Sequence, residues 1–123
     1  MSNGLSTGFI SLSKAIEMTT RYRQNKNAVI APAYSGNDIL AICDTINKAA
    51  IEALLAKPGC TAIRLYYGMD DALQLRPILV AVNQNDEDIL PANTVNNDVV
   101  GTDIVDDTVR CPPWCPPPSS LNS

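Results

Sequence analysis

The longest periodic stretch of the sequence runs from Ile39 to Leu54 and has the spacing of an amphipathic helix. Its apolar residues recur at three- and four-residue steps, which places them on one face of a helix: Ile39, Ile42, Cys43, Ile46, Ala50, Ala53 and Leu54. Asp38 is a suitable N-cap, and Lys57-Pro58-Gly59 stops the period, because proline disfavours helical geometry in the residue before it. The pattern predicts one helix over about 39–56, with Asp44 as a candidate break.

A shorter helical period precedes this stretch. Ser11 can cap the free amides of a first turn, and apolar side chains recur at helical steps after it, which predicts a helix over about 12–25. Residues 25–37 contain Pro32 and Ser35-Gly36-Asn37, which break the period and favour turns. They are predicted to form a connector.

Alternation of apolar and polar residues predicts three consecutive strands, at Thr61–Tyr67, at about 74–83 and at Ile89-Leu90. A weaker pattern near Val99–Val105 indicates one more strand. The predicted fold is α+β, with two helices packed on a small antiparallel sheet of about three strands, in a single domain over residues 1–109.

The last residues, 110–123, form a segment rich in proline and cysteine. Five prolines leave few amides for a sheet and favour extended polyproline II, so the segment is predicted to be a tail appended to the domain. Arg110, Pro113 and Pro116 fit the basic-x-x-Pro-x-x-Pro spacing of polyproline ligands. Trp114, the only tryptophan, gains by finding a groove in its own domain or in a partner. Arg110 and Trp114 are therefore candidate interaction residues.

The charge of the chain is acidic and unevenly distributed. The net charge is −4, which disfavours a nucleic-acid partner, because such binding needs Lys and Arg to displace counterions. The first thirty residues are basic and the residues after 64 are acidic, so the first helix could dock on an acidic region of this or another chain. Solvated charge is the alternative interpretation. No apolar run is long enough for a membrane helix and no secretory signal is seen, so a cytoplasmic location is expected.

The residues needed for common enzyme chemistry are largely missing. The chain has no histidine, which removes the commonest general base, and it has no glycine-rich phosphate loop. Paired acids fall in predicted turns, where solvated carboxylates are expected, because acid–base work needs a cleft that perturbs the pKa. No catalytic residue, metal or cofactor is predicted. A remaining enzyme hypothesis places Arg64 and Tyr66 in a cleft with Asp70 or Asp71.

Four cysteines in a cytoplasmic chain are expected to be thiols. Cys111 and Cys115 are candidate redox residues, because they could form a reversible disulfide if the two prolines after Cys111 turn sharply. Together with Cys43 and Cys60 they could instead be counted as a four-thiolate metal site. Against the metal site, Cys43 lies on the apolar face of the predicted second helix, as a small core residue would.

Arg64 and Tyr66 share one face of the first predicted strand. If the helices cover the other face, this cationic and aromatic pair is a candidate contact surface. The alternative is that Arg64 pairs with acids of a turn while Tyr66 packs at the rim of the sheet.

The order of features along the chain resembles a family of small bacterial proteins common among Bacteroidetes. The resemblance is carried by the following segments: Ile10-Ser11-Leu12, Met18-Thr-Thr-Arg-Tyr-Arg, Arg64-Leu-Tyr-Tyr-Gly68-Met-Asp, Ile78-Leu-Val-Ala-Val-Asn, Asp88-Ile-Leu and a closing Cys-Pro-Pro-x-Cys. The resemblance implies a bacterial cytoplasmic protein in which the cysteine tail is a regular part of the protein. It implies no catalytic residues.

Two functions from different classes follow from these observations. The first is a non-enzymatic protein-interaction module that self-associates through its sheet, since a sheet with an uncovered face or edge invites partners. The second is a thiol-based metal-binding or redox protein that uses Cys111 and Cys115.

Overall fold

The computed structural model describes residues 8–91, 101 and 103–123, and within them the fold is α+β, as predicted. In chain order the elements are α1 (Leu12–Asn25), a 3-10 helix (Pro32–Tyr34), β1 (Cys43–Ile46), α2 (Lys48–Leu55), β2 (Cys60–Met69), β3 (Leu75–Asn83), β4 (Asp88–Ile89), β5 (Ile104–Val105) and β6 (Thr108–Cys111). Among the helices of these residues, none has both the length and the apolar character needed to span a membrane.

The chain divides into two compact units. Unit 1 contains the described residues of Ile46–Gly68 and Arg76–Thr108. Unit 2 contains those of Leu5–Thr45, Met69–Leu75 and Val109–Ser123.

β3 is the central strand of the unit 1 sheet, whose order is β2-β3-β4, with β5 also paired to β3. The pairing is antiparallel for both short strands: Ala81 lies opposite Ile89, and Leu79 lies opposite Val105. The predicted meander of three strands is confirmed. β5 falls inside the predicted strand near Val99–Val105, although residues 92–100 and 102 lie outside the described part of the chain.

The core of unit 1 lies between α2 and one face of this sheet, here called the α2 face. Leu54 of α2 is 0% exposed and clusters with Leu79 and Ala81, two β3 residues of the same parity. Six partly buried residues pack against this cluster: Ile46, Ile51, Cys60, Ile63, Ile89 and Val105. Apolar burial of this kind is the main driving force for folding, so this face holds the unit together.

The helix predicted over 39–56 is shorter than expected. Only Lys48–Leu55 is helical, and Cys43–Ile46 forms β1, which pairs with β6. The side chain of Asn47 accepts a hydrogen bond from the amide of Ala49 and so starts a new helix after the strand. A short apolar run is compatible with either a helix or a strand. Here the pairing with β6, which lies far along the chain, makes the run a strand.

Unit 2 is built around α1, whose predicted bounds are confirmed. The side chain of Ser11 caps it by accepting from the amide of Lys14 at 3.0 Å. Tyr22 and Lys26 of α1 donate side-chain hydrogen bonds to the carbonyls of Ala41 and Leu40. These bonds fasten α1 to the segment that leads into β1.

Candidate functional site

The residues of the predicted contact face form an ion cluster in unit 1. Arg64 donates to Oδ1 of Asp88 at 2.6 Å and also to Asp86, while the Tyr66 hydroxyl donates to Oδ2 of Asp88 at 2.5 Å. The structure therefore brings Arg64 and Tyr66 together. Arg64 pairs with acids that the sequence placed in a turn, as one of the sequence-based alternatives stated, although Asp88 belongs to β4 in the structure. The partners are Asp86 and Asp88, in contrast to the Asp70 or Asp71 of the enzyme hypothesis.

The cluster spans the central strand of the sheet. Arg64 and Tyr66 lie on β2, Asp88 lies on β4, and β3 runs between them. Two strand spacings amount to about 9.6 Å, which the long arginine and tyrosine side chains can bridge. Asp88 is paired with the buried Val82, so the bridge passes over the face of the sheet opposite α2. It ties β2 to β4 across that face.

The hydrogen bonds fix the protonation states within the cluster. The bond from Tyr66, followed by the bond from Arg64, holds the pKa of Asp88 below its ordinary value. The same bond to Asp88 raises the pKa of Tyr66. A general acid or base works best with a pKa near the operating pH, whereas these shifts move both groups away from neutrality. The cluster is suited to holding strands together, and we assign it no proton-transfer role.

The stability of unit 1 should fall in acid because of Asp88. Its pKa is lower in the folded chain than its ordinary value of 3.8, so its contribution is present above that value. The contribution is lost as the pH falls through the pKa of the folded state. We expect Asp88→Asn to be less stable than the wild type in urea at neutral pH, with the difference shrinking as the pH is lowered. The matched control is Asp106→Asn, which alters an exposed carboxylate of the same unit. A difference between Asp88→Asn and the wild type that stays constant down to strongly acid pH would contradict the assignment.

The cysteines are divided between one disulfide and two thiols. Cys111 and Cys115 are bonded to each other, with their Cα atoms 4.5 Å apart, while Cys43 and Cys60 are free. The expectation of four thiols is therefore wrong for the tail pair. Because these two sulfurs are bonded to each other, the four-thiolate metal site is not formed. In the part of the chain that the structure describes, no group of three or more Cys, Asp or Glu residues could hold a metal ion.

The predicted boundary between domain and tail falls within β6. Arg110 is 3% exposed and donates to the carbonyls of Asp38, Ile39 and Pro112. It is thus held in the interior of unit 2, whereas a polyproline ligand needs its basic side chain at the surface. Trp114 is 71% exposed, in the loop that the disulfide closes.

An apolar groove in unit 2 was not predicted from the sequence. It has a volume of about 320 Å³ and runs along α1. Its lining residues are Met18, Arg21, Tyr22, Asn25, Lys26, Val29 and Leu40. Burial raises the pKa of Tyr22, and its hydroxyl donates to Ala41. The helical periodicity of α1 could have shown this face, but the residues opposite it come from the connector.

Compared with known proteins, the chain matches no family model, no curated protein and no solved structure. The resemblance to small Bacteroidetes proteins stays a prediction from the sequence.

Proposed function

We propose that this protein is a non-enzymatic interaction module that self-associates through β2. The observation that carries the proposal is the outer edge of this strand. β2 has ten residues, and among the described residues only β3 pairs with it. Unpaired amides and carbonyls along a strand of this length are a template for pairing with another chain.

The side chains of β2 support the same interpretation. Leu65 and Tyr67 have the parity of Ile63, which packs on the core, yet both are exposed, and Tyr67 is 78% exposed. α2 has eight residues and β2 has ten, so their lengths are about 12 Å and about 33 Å. The helix can therefore cover only part of the strand. The part that α2 leaves uncovered presents apolar surface beside the edge that no described strand pairs with, which favours burial by a partner.

A second copy of the chain is the partner that fits this edge best. Two identical β2 strands can pair antiparallel about a two-fold axis, so that each copy supplies the same surface. A free cation near the two-fold axis would disfavour this symmetry, because it would lie close to its own copy. Arg64 avoids that cost because Asp86 and Asp88 already neutralise it.

The setting that we propose is a bacterial cytoplasm, on the strength of the sequence resemblance. The exposed part of the proline-rich tail around Trp114 is the second contact region that we propose. The net charge of −4 argues for protein partners over nucleic acid.

Sedimentation velocity over a wide dilution series tests the proposal. We expect reversible oligomers in the wild type, and we expect Tyr67→Lys to weaken the self-association Kd by about tenfold or more, because each copy adds a like charge to the contact. The exposure of Tyr67 keeps this substitution from disturbing the core.

The matched control is Tyr34→Lys, which makes the same chemical change at an exposed tyrosine of unit 2. It should associate as the wild type does. A wild type that is monomeric at every concentration would overturn the proposal, and so would a Tyr67→Lys variant that associates as tightly as the control.

A further inference from the structure

We propose that the Cys111–Cys115 disulfide is a redox-active site that exchanges with a partner dithiol, and that Cys115 is the sulfur attacked. The two cysteines differ sharply in their surroundings. Cys111 is 1% exposed and belongs to β6, whereas Cys115 is exposed and lies beyond the strand. A thiolate must reach a sulfur in order to attack it, so access selects Cys115.

Backbone contacts hold the disulfide loop in place independently of the sulfur bond. The carbonyl of Cys111 accepts from the amide of Ile42 at 2.7 Å, and the carbonyl of Arg110 accepts from the amide of Trp114 at 2.9 Å. The guanidinium of Arg110 also donates to the carbonyl of Pro112 at 3.2 Å. These contacts keep the two cysteines close after reduction, so that the bond can form again readily.

The proposed thiol–disulfide exchange takes place in two steps. In the first, a partner thiolate attacks Sγ of Cys115, a mixed disulfide forms, and the Cys111–Cys115 bond breaks. The electron pair leaves with Cys111, whose thiolate takes up a proton in place of the one that the partner thiol lost. In the second, the other thiolate of the partner attacks the partner's sulfur in the mixed disulfide and releases Cys115 as a thiolate, which is protonated in the same way. The partner dithiol is oxidised to a disulfide, and this protein gains two thiols.

The proposed cytoplasmic setting agrees with such turnover. Thiols are kept reduced there, and the disulfides found in that compartment are usually transient and either catalytic or redox-sensing. The free Cys43 and Cys60 take no part in the exchange, since both are partly buried and neither is in the disulfide loop.

Glutathione serves as the probe in a redox titration of the full-length chain. The protein is equilibrated at a series of ratios of reduced to oxidised glutathione, and the thiols are then trapped by alkylation and located by mass spectrometry. Fluorescence of Trp114, which lies inside the loop, follows the same change. We expect reversible reduction of the pair across the series, with unchanged circular dichroism. A pair that stays oxidised until denaturant unfolds the chain is a structural crosslink and overturns the proposal.

Two single variants test which sulfur is attacked. Cys111→Ser leaves the exposed Cys115, and Cys115→Ser leaves the buried Cys111. We expect oxidised glutathione to modify Cys115 at least about tenfold faster than Cys111. Equal rates in two folded variants would overturn the assignment of Cys115. If either variant fails to fold, the titration of the wild type still decides whether the bond is redox-active. Because the titration follows the thiols, it does not depend on whether the chain self-associates.

Discussion

Replacing Arg110 with alanine should lower the free energy of unfolding by about 3 kcal/mol, since the change leaves several carbonyls without a charged donor. The buried guanidinium of Arg110 donates to the carbonyls of Asp38, Ile39 and Pro112, and so joins the segment before β1 to the disulfide loop within unit 2. Removing the side chain also leaves a cavity in its place. Urea unfolding monitored by circular dichroism measures the loss.

Two further variants separate the causes of this effect. Arg110→Met keeps an apolar stem and removes only the donors, so it should recover part of the packing and none of the hydrogen bonds. Arg21→Ala removes an exposed arginine of the same unit and should change stability by no more than about 0.5 kcal/mol. If Arg110→Ala costs no more than Arg21→Ala, Arg110 does not hold the loop as described.

Leu54→Ala should have an effect of similar size in unit 1. Leu54 is 0% exposed at the centre of the cluster beneath α2, and truncating such a leucine costs about 2–5 kcal/mol. We expect about 3 kcal/mol. The same unfolding experiment measures it.

The neighbouring residue provides the control for this prediction. Leu55 follows Leu54 on α2 but is 55% exposed, and alanine is a good helix former. Leu55→Ala should therefore cost well below half as much as Leu54→Ala. Equal losses at the two positions would mean that α2 does not pack on the sheet through the Leu54 face.

The elements that could be predicted from the sequence are those fixed by nearby residues. The bounds of α1 follow from the cap at Ser11 and from an uninterrupted helical period. β2 and β3 follow from alternating residues separated by a short turn. In these segments local preference and tertiary packing agree, so one sequence window contains enough information.

Elements that depend on distant partners could not be predicted. Residues 43–46 carry apolar spacing that also suits a helix, and they become β1 because β6 lies beside them. β6 itself begins at Thr108, more than sixty residues further along, and its second half, Arg110 and Cys111, was assigned to a proline-rich tail. A tertiary pairing of this kind overrides local periodicity.

In the candidate site, too, the features set by nearby residues could be predicted and those set by distant residues could not. Alternation along β2 was enough to place Arg64 and Tyr66 on one face, but their shared partner Asp88 required the register of β4. The state of the tail cysteines stayed open because connectivity cannot be read from cysteine spacing alone. Arg110 looked like a surface cation, and its burial depends on the carbonyls of Asp38 and Ile39 from another part of the chain.

The ion cluster on β2 affects how well the edge of the sheet is protected against aggregation. Edge strands commonly carry a free charge as a gatekeeper against open-ended aggregation. Arg64 stands on such a strand, but at neutral pH it is engaged by Asp86 and Asp88. Protonation of Asp88 in acid removes one of these two partners and leaves the charge of Arg64 less neutralised. The same carboxyl group that joins β2 to β4 within the sheet thus also controls how much charge protects the edge of the sheet.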